Sequence, residues 1–383
     1  MADSLYTAAT RATWIEVDTA ALVNNVKALN HLLAPPTRLM AVIKGNAYGH
    51  GAPAVAAILA QAGVEWLAVA TPGEGLELRA QGITNAILVL GYTPPWVVAT
   101  ALAQQLTLTV DDQTTVDAIV QAATVAGWPA PVHVKVNTGM NRLGLQPEAV
   151  APFLRMLQSR PGIVAEGIFT HFATADQLDN AFFEEQAKRF DALLTQLTAE
   201  QLRPPLVHAA NSATTLRAPH AHFDLVRCGI ALYGLHPDVH AAPLPATFQP
   251  VLSWKAQVVH LTELQPGESV GYGRAFLATR PTTVATIPVG YADGFPRTPA
   301  TWQTVLLHGQ EIPLVGRVCM DQTVLDVSEL VAQGKRVCVG DEVVLLGQQG
   351  ACHLTAEEIG RRTGTINYEV VSRILPRVPR LIV

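Results

Sequence analysis

Leu39-Met40-Ala41-Val42-Ile43-Lys44-Gly45-Asn46-Ala47-Tyr48-Gly49-His50-Gly51 sets the reading of the whole chain. Its apolar run, residues 39–43, has the make-up of a buried strand, and the glycines at 45, 49 and 51 open it into a tight loop ahead of a helix starting near Pro53. Lys44 stands at the strand's end. Barrels and open sheets present side chains to ligands at strand ends, so Lys44 is expected to face a cavity. A lysine withdrawn from water becomes a usable amine, the state needed for Schiff-base chemistry with a carbonyl cofactor. Lys-Gly alone reads equally well as a solvated turn.

Outward from Lys44 the apolar runs become rhythmic, recurring at residues 39–43, 66–70, 86–90, 106–110, 132–136, 164–169, 206–209 and 225–228. Helical signals lie between several of them: Asp111 or Asp112 ahead of Val116, Ile119, Val120 and Ala123; Pro147 ahead of Val150, Phe153, Leu154 and Leu157; then Phe182, Phe183, Phe190, Leu193, Leu194 and Leu197. Eight strands alternating with helices over about 200 residues have the size and rhythm of a (β/α)8 barrel. A doubly wound sheet competes, but no Gly-x-Gly-x-x-Gly follows a strand. Upstream, Trp14-Ile15-Glu16-Val17-Asp18 alternates like a short strand, and Asp18-Thr19 caps a helix carrying Leu22, Val26, Leu29 and Leu33. Residues 235–250 hold four prolines and little periodicity, which places a domain boundary there. The expected domains are a barrel over 12–240 and a mainly β domain over 241–383, with strands at 251–261, 282–288, 303–307, 323–327 and 342–346 and one helix at 366–375.

Composition narrows the function. The 383 residues are 49% hydrophobic and only 15% charged, enough for a large core, and the net charge of -5 argues against a nucleic-acid partner. No apolar run reaches membrane-spanning length, and residues 1–13 lack the basic patch and apolar segment of an export signal. Cys228, Cys319, Cys338 and Cys352 are widely spaced without a Cys-x-x-Cys pair, so a cytoplasmic chain with reduced thiols and no metal centre is expected.

The peptide Val42-Ile43-Lys44-Gly45-Asn46-Ala47-Tyr48-Gly49-His50-Gly51 closely resembles the pyridoxal-phosphate signature of the alanine racemase family, and the resemblance spans nearly the whole chain. It implies pyridoxal 5'-phosphate as cofactor, interconversion of L- and D-alanine for bacterial peptidoglycan, a barrel-plus-β fold, and a homodimer with composite active sites. Five strand ends carry polar groups: Lys44; Lys135, Asn137 and Arg142; His171; Asn211 and Ser212; and Arg227, Gly229 and Ile230. The phosphate is expected near the seventh and eighth strands, held by Ser212, beside Asn211, and by the amides of Gly229 and Ile230, with Tyr48 and Tyr368 implied to reach it. The resemblance places Arg227 on the pyridine nitrogen. A guanidinium donates a hydrogen bond there without handing over a proton, which favours racemisation over transamination.

Racemisation needs a proton carrier on each face of the substrate. Lys44 serves one face. For the other, Ser269-Val270-Gly271-Tyr272-Gly273-Arg274 matches the family's catalytic-tyrosine loop, implying that Tyr272 comes from the partner subunit and couples through His171 to Arg227. Met320 and Asp321, in Val318-Cys319-Met320-Asp321-Gln322, are implied to cross the same interface toward the substrate carboxylate, which Arg142 also meets, while Tyr291 lines the entrance. Lys135 and Arg142 would set two cations together, and many family members carbamylate the equivalent lysine. N6-carboxylysine is therefore expected at 135, although Asn137 stands where an aspartate is often found. A related decarboxylase would give the ring nitrogen an acidic partner in place of Arg227, a broader-specificity racemase would differ in pocket size, and a non-catalytic binding barrel would need nothing beyond Leu235.

Overall fold

The computed structural model describes residues 10–177, 179–237, 244, 245 and 247–383. The expected boundary at 240/241 falls outside the described residues. The first elements among the described residues are a short strand, β1 (Thr13–Val17), and a helix, Thr19–His31, whose Asp18 cap accepts from the Ala21 amide at 2.9 Å. Eight parallel strands follow: β2 (Arg38–Val42), β3 (Trp66–Val69), β4 (Ala86–Val89), β5 (Thr107–Val110), β6 (Ala130–Lys135), β7 (Ile163–Phe169), β8 (Leu206–His208) and β9 (Leu225–Cys228). They close in chain order, β9 pairing back onto β2, and this closure excludes the doubly wound sheet. The helices pack outside, and Asp112, of the two aspartates considered, caps Gln113–Ala126. Inside the barrel, Met40, Val42, Trp66, Ala68, Leu88 and Leu225 form an apolar cluster on one side. The other side is polar: His133, Lys135, His208 and Arg227 are all buried there.

The remaining strands are β10 (Leu252–Gln257), β11 (His260–Leu264), β12 (Ser269–Val270), β13 (Phe276–Leu277), β14 (Thr282–Ile287), β15 (Thr304–Leu307), β16 (Gln310–Val315), β17 (Thr323–Asp326), β18 (Glu342–Gln349), β19 (Cys352–Leu354) and β20 (Arg380–Ile382). The main sheet runs β11-β14-β17-β16-β15-β18-β10-β1-β20. Strand β1, read from sequence as the start of the barrel domain, thus belongs to the second sheet, antiparallel to β10 and parallel to β20. The reason is hydrogen-bond supply: a closed barrel offers no free edge, so an alternating strand upstream of it must pair elsewhere. The stretch expected as one strand at 251–261 is two, β10 and β11, with different partners. The helix expected at 366–375 is shorter, Asn367–Ser372, and it is not alone: Ala356–Thr363 precedes it. Thr355 and Glu358, three residues apart, were the overlooked start signal, and the Thr355 hydroxyl accepts from the Glu358 amide at 3.1 Å. Among the described residues no helix is long and apolar enough to cross a membrane.

Candidate active site

Lys44 leaves β2 and the chain turns the wrong way. Gly45, Asn46, Ala47 and Tyr48 all have φ between 53° and 61°, a left-handed turn that costs an L-residue roughly 1–2 kcal/mol each. Side chains hold it in place. Glu74 accepts from the Gly45 amide at 2.6 Å, Asn46 accepts from the Ala52 amide at 2.8 Å, and His50 donates from Nδ1 to the carbonyls of Ala47 and Tyr48. The turn returns Tyr48 to the wall of the cavity that Lys44 also lines, and the helix Ala52–Gln61 starts after it, close to the expected Pro53.

Lys44, Tyr48, Lys135, Arg142, His171, Asn211, Ser212, Arg227, Gly229, Ile230 and Tyr368 line one cavity of about 330 Å³ at the carboxyl ends of the strands. Every barrel residue singled out as a cofactor ligand is among them. Leu90, Phe169, Phe172 and Asp176 also line it and were not among the expected site residues; Phe169 and Phe172 flank the Thr170-His171 pair but are apolar. A more open groove of about 530 Å³ beside the Asn137–Asn141 loop contains Arg189 but no lysine, histidine or tyrosine in its lining. Tyr272, Tyr291, Met320 and Asp321 do not line the cavity of their own chain. They lie on the surface of the second domain, Tyr272 71% exposed and Met320 52%.

The cavity suits an anion. Ser212 Oγ accepts from the amides of Gly229 at 3.0 Å and Ala231 at 3.4 Å, which leaves its hydroxyl proton to donate elsewhere. The Gly229 amide and the Ser212 hydroxyl are thus bonded to each other at the cavity wall. Packing also requires glycine at 229: a Cβ there would lie 2.3 Å from the Tyr48 hydroxyl. Burial raises the phenols of Tyr48 and Tyr368, so both stay protonated as donors. Burial, then the nearby Arg142 charge, lowers the Lys44 amine. Gly229→Ala is expected to weaken cofactor retention about tenfold or more, in line with the ~1–3 kcal/mol typical of over-packing; visible absorbance surviving gel filtration measures it.

Arg227 anchors the polar side of the barrel. It donates to the carbonyls of Thr170 (2.8 Å) and Ala209 (2.9 Å), to Nδ1 of His171 (3.1 Å) and to Nδ1 of His208 (2.9 Å). Because a guanidinium only donates, both imidazoles carry their proton on Nε2. His208 Nε2 then donates to His133 Nδ1 at 2.8 Å, and His133 Nε2 donates to Glu166 at 3.3 Å. The result is one directed line from Arg227 to Glu166. Burial lowers all three histidines, His171 and His208 strongly, so each is a neutral link. Burial also pulls Arg227 down to about 9, which leaves it charged at neutral pH. Lys135 is lowered well below the usual lysine value by burial and by the charges of Arg227 and Arg142, with Asp111 opposing. Its Nζ rests 4.3 Å over the Phe169 ring. Strand parity put His133 on the same face as Lys135, but nothing in the linear sequence joined it to His208 and Glu166.

Residues 17–237 match the model of the alanine racemase N-terminal domain, and residues 251–382 that of the alanine racemase C-terminal domain. The chain belongs to the alanine racemase family. It is 42% identical to an alanine racemase of Desulfovibrio desulfuricans over 97% of this chain and 98% of that one. Identity to the alanine racemase of Symbiobacterium thermophilum is 43%, covering 97% of each chain. The crystal structure of the Bacillus anthracis alanine racemase with bound L-Ala-P superposes with a TM-score of 0.91 at 38% identity, covering 97% of this chain and 95% of that one. An alanine racemase is a pyridoxal-phosphate-dependent isomerase that interconverts L- and D-alanine, and this chain carries both of its domains. The decarboxylase and binding-barrel readings give way on that ground.

Proposed function

We propose that the barrel cavity holds pyridoxal 5'-phosphate on Lys44, that Tyr272 of a second copy closes the site, and that the chain supplies D-alanine for peptidoglycan in the cytoplasm. One observation carries the reading: a single cavity combines an amine biased toward neutrality, a buried arginine bonded to carbonyls and imidazoles in place of a carboxylate, and protonated hydroxyls suited to a phosphate. The cofactor bound there acidifies the Cα proton of an amino acid.

The chain's own groups then determine where protons go. Lys44 exchanges a proton on one face. Arg227 keeps its own protons, and the neutral histidines behind it accept from it, so that side of the cavity offers no acid. Racemisation then needs one further carrier, on the face opposite Lys44. Tyr272 is that carrier; its exposure, together with that of Met320 and Tyr291 on the same domain, supports contact with another copy's cavity. In this dimer Arg142, Met320 and Asp321 meet the substrate carboxylate, with Tyr291 at the entrance. The deciding assay is formation of D-alanine from L-alanine by the purified protein; cofactor retained with optical activity unchanged would overturn the reading.

Lys135 is carbamylated in this reading, which gives Arg142 an anionic neighbour. Bicarbonate is expected to stabilise the wild type but not Lys135→Met, with one carbon dioxide of added mass in the intact protein. In carbonate-free buffer the lowered lysine makes the folded chain bind fewer protons than the unfolded one between its own pKa and the ~10.4 of free lysine. Stability should therefore rise with pH through that window in the wild type, and the slope should fall in Lys135→Met. Denaturant titrations across the window measure both.

A further inference from the structure

The surface that carries Tyr291 and Asp321 is underpinned by a chain of four charges. Asp293 is fully buried, and its Oδ1 accepts from Arg11 Nη1 at 2.6 Å and Arg377 Nε at 2.7 Å. The second fork of Arg377, Nη2, reaches the exposed Asp321 at 2.7 Å. Around these pairs the backbone is interlocked. The amides of Tyr291 and Ala292 donate to the carbonyls of Cys319 and Met320, Asp293 Oδ2 accepts from the Gly290 amide, and a Cβ at Gly290 would lie 2.3 Å from the Met320 carbonyl. The loop of Tyr291 and the loop of Met320 and Asp321 therefore form one ledge, held by an arginine from each end of the chain.

Asp321 poses an electrostatic problem in the composite site. A bare carboxylate there would repel the carboxylate of an amino acid, and Arg377 neutralises it from behind through a bond that also fixes its direction. We propose that Arg377 is a positioning residue for substrate binding: by pairing Asp321 it turns the ledge into a compensated surface that admits an amino-acid carboxylate. This rests on the composite-site reading above. Asp321 is the group near the substrate, and Arg377 acts through it.

The prediction is a change in KM. Arg377→Met is expected to raise KM for alanine about five- to tenfold with kcat changed less than about threefold, the size expected for a partly solvated charge. The buried Asp293 keeps Arg11 and the Gly290 amide, so the variant is not left with a stranded carboxylate. In an Asp321→Asn background the same substitution should add nothing, because the repelling charge is gone. Arg377→Lys should stay within about threefold of the wild-type KM, since the charge remains; it also serves if the methionine variant does not fold. Equal KM effects in both backgrounds, or no KM effect, would overturn the proposal. Hybrid dimers separate its failure from that of the composite site. With Lys44→Ala on one subunit, Tyr272→Phe or Arg377→Met on that same subunit should impair the surviving site, and either one on the other subunit should not. If Tyr272→Phe fails this placement rule, the composite site is wrong; if it obeys while Arg377→Met has no effect, only the role of Arg377 is.

Discussion

Lys44→Ala is expected to abolish racemisation in both directions, by at least about a thousandfold, because in the proposed mechanism one group supplies both the covalent anchor and a proton carrier. The cost to the fold should be small. Lys44 is only partly buried, and the left-handed turn after it is held by Glu74, Asn46 and His50, none of which bonds to the lysine amine. Far-UV circular dichroism and unfolding midpoints close to wild type would therefore accompany the loss. Assays from L-alanine and from D-alanine measure it. Substantial turnover surviving in either direction would remove Lys44 from the chemistry.

Tyr272→Phe should cost about a hundredfold to ten-thousandfold in turnover while leaving stability nearly unchanged, since it deletes only the hydroxyl of a side chain exposed on its own chain. The two substitutions are distinguishable with α-deuterated alanine. If Lys44 and Tyr272 serve opposite faces, residual activity in the phenylalanine variant should show isotope effects that differ between the L-to-D and D-to-L directions. A symmetrical loss with equal isotope effects would mean that the two groups do not divide the faces between them.

Much of this was legible in linear order. The eight apolar runs matched the eight barrel strands because strands buried on both faces are mostly apolar, and that requirement is written locally. Lys44 and Arg227 were readable through the motif around Lys44 and the family resemblance it carries, since a lysine at a strand end reads equally well as a solvated turn. One error fell where the partners lie far away. Strand β1 alternates correctly, but its neighbours, β10 and β20, lie more than two hundred residues downstream. Likewise, the close packing of the Tyr48 phenol on Gly229, 181 positions away in the chain, carries no local signal.

By itself the sequence determined the order of elements, the residues that end the barrel strands and the kind of chemistry they carry, because hydrophobic period and motif spacing act over a few residues at a time. Tertiary structure alone decided which of those residues share a cavity, which way each buried histidine points its proton, and which charges are answered. Hydrogen-bond direction and desolvation depend on every group packed around an atom. For Arg227 those groups come from two other strand ends, and for Asp293 from opposite termini of the chain.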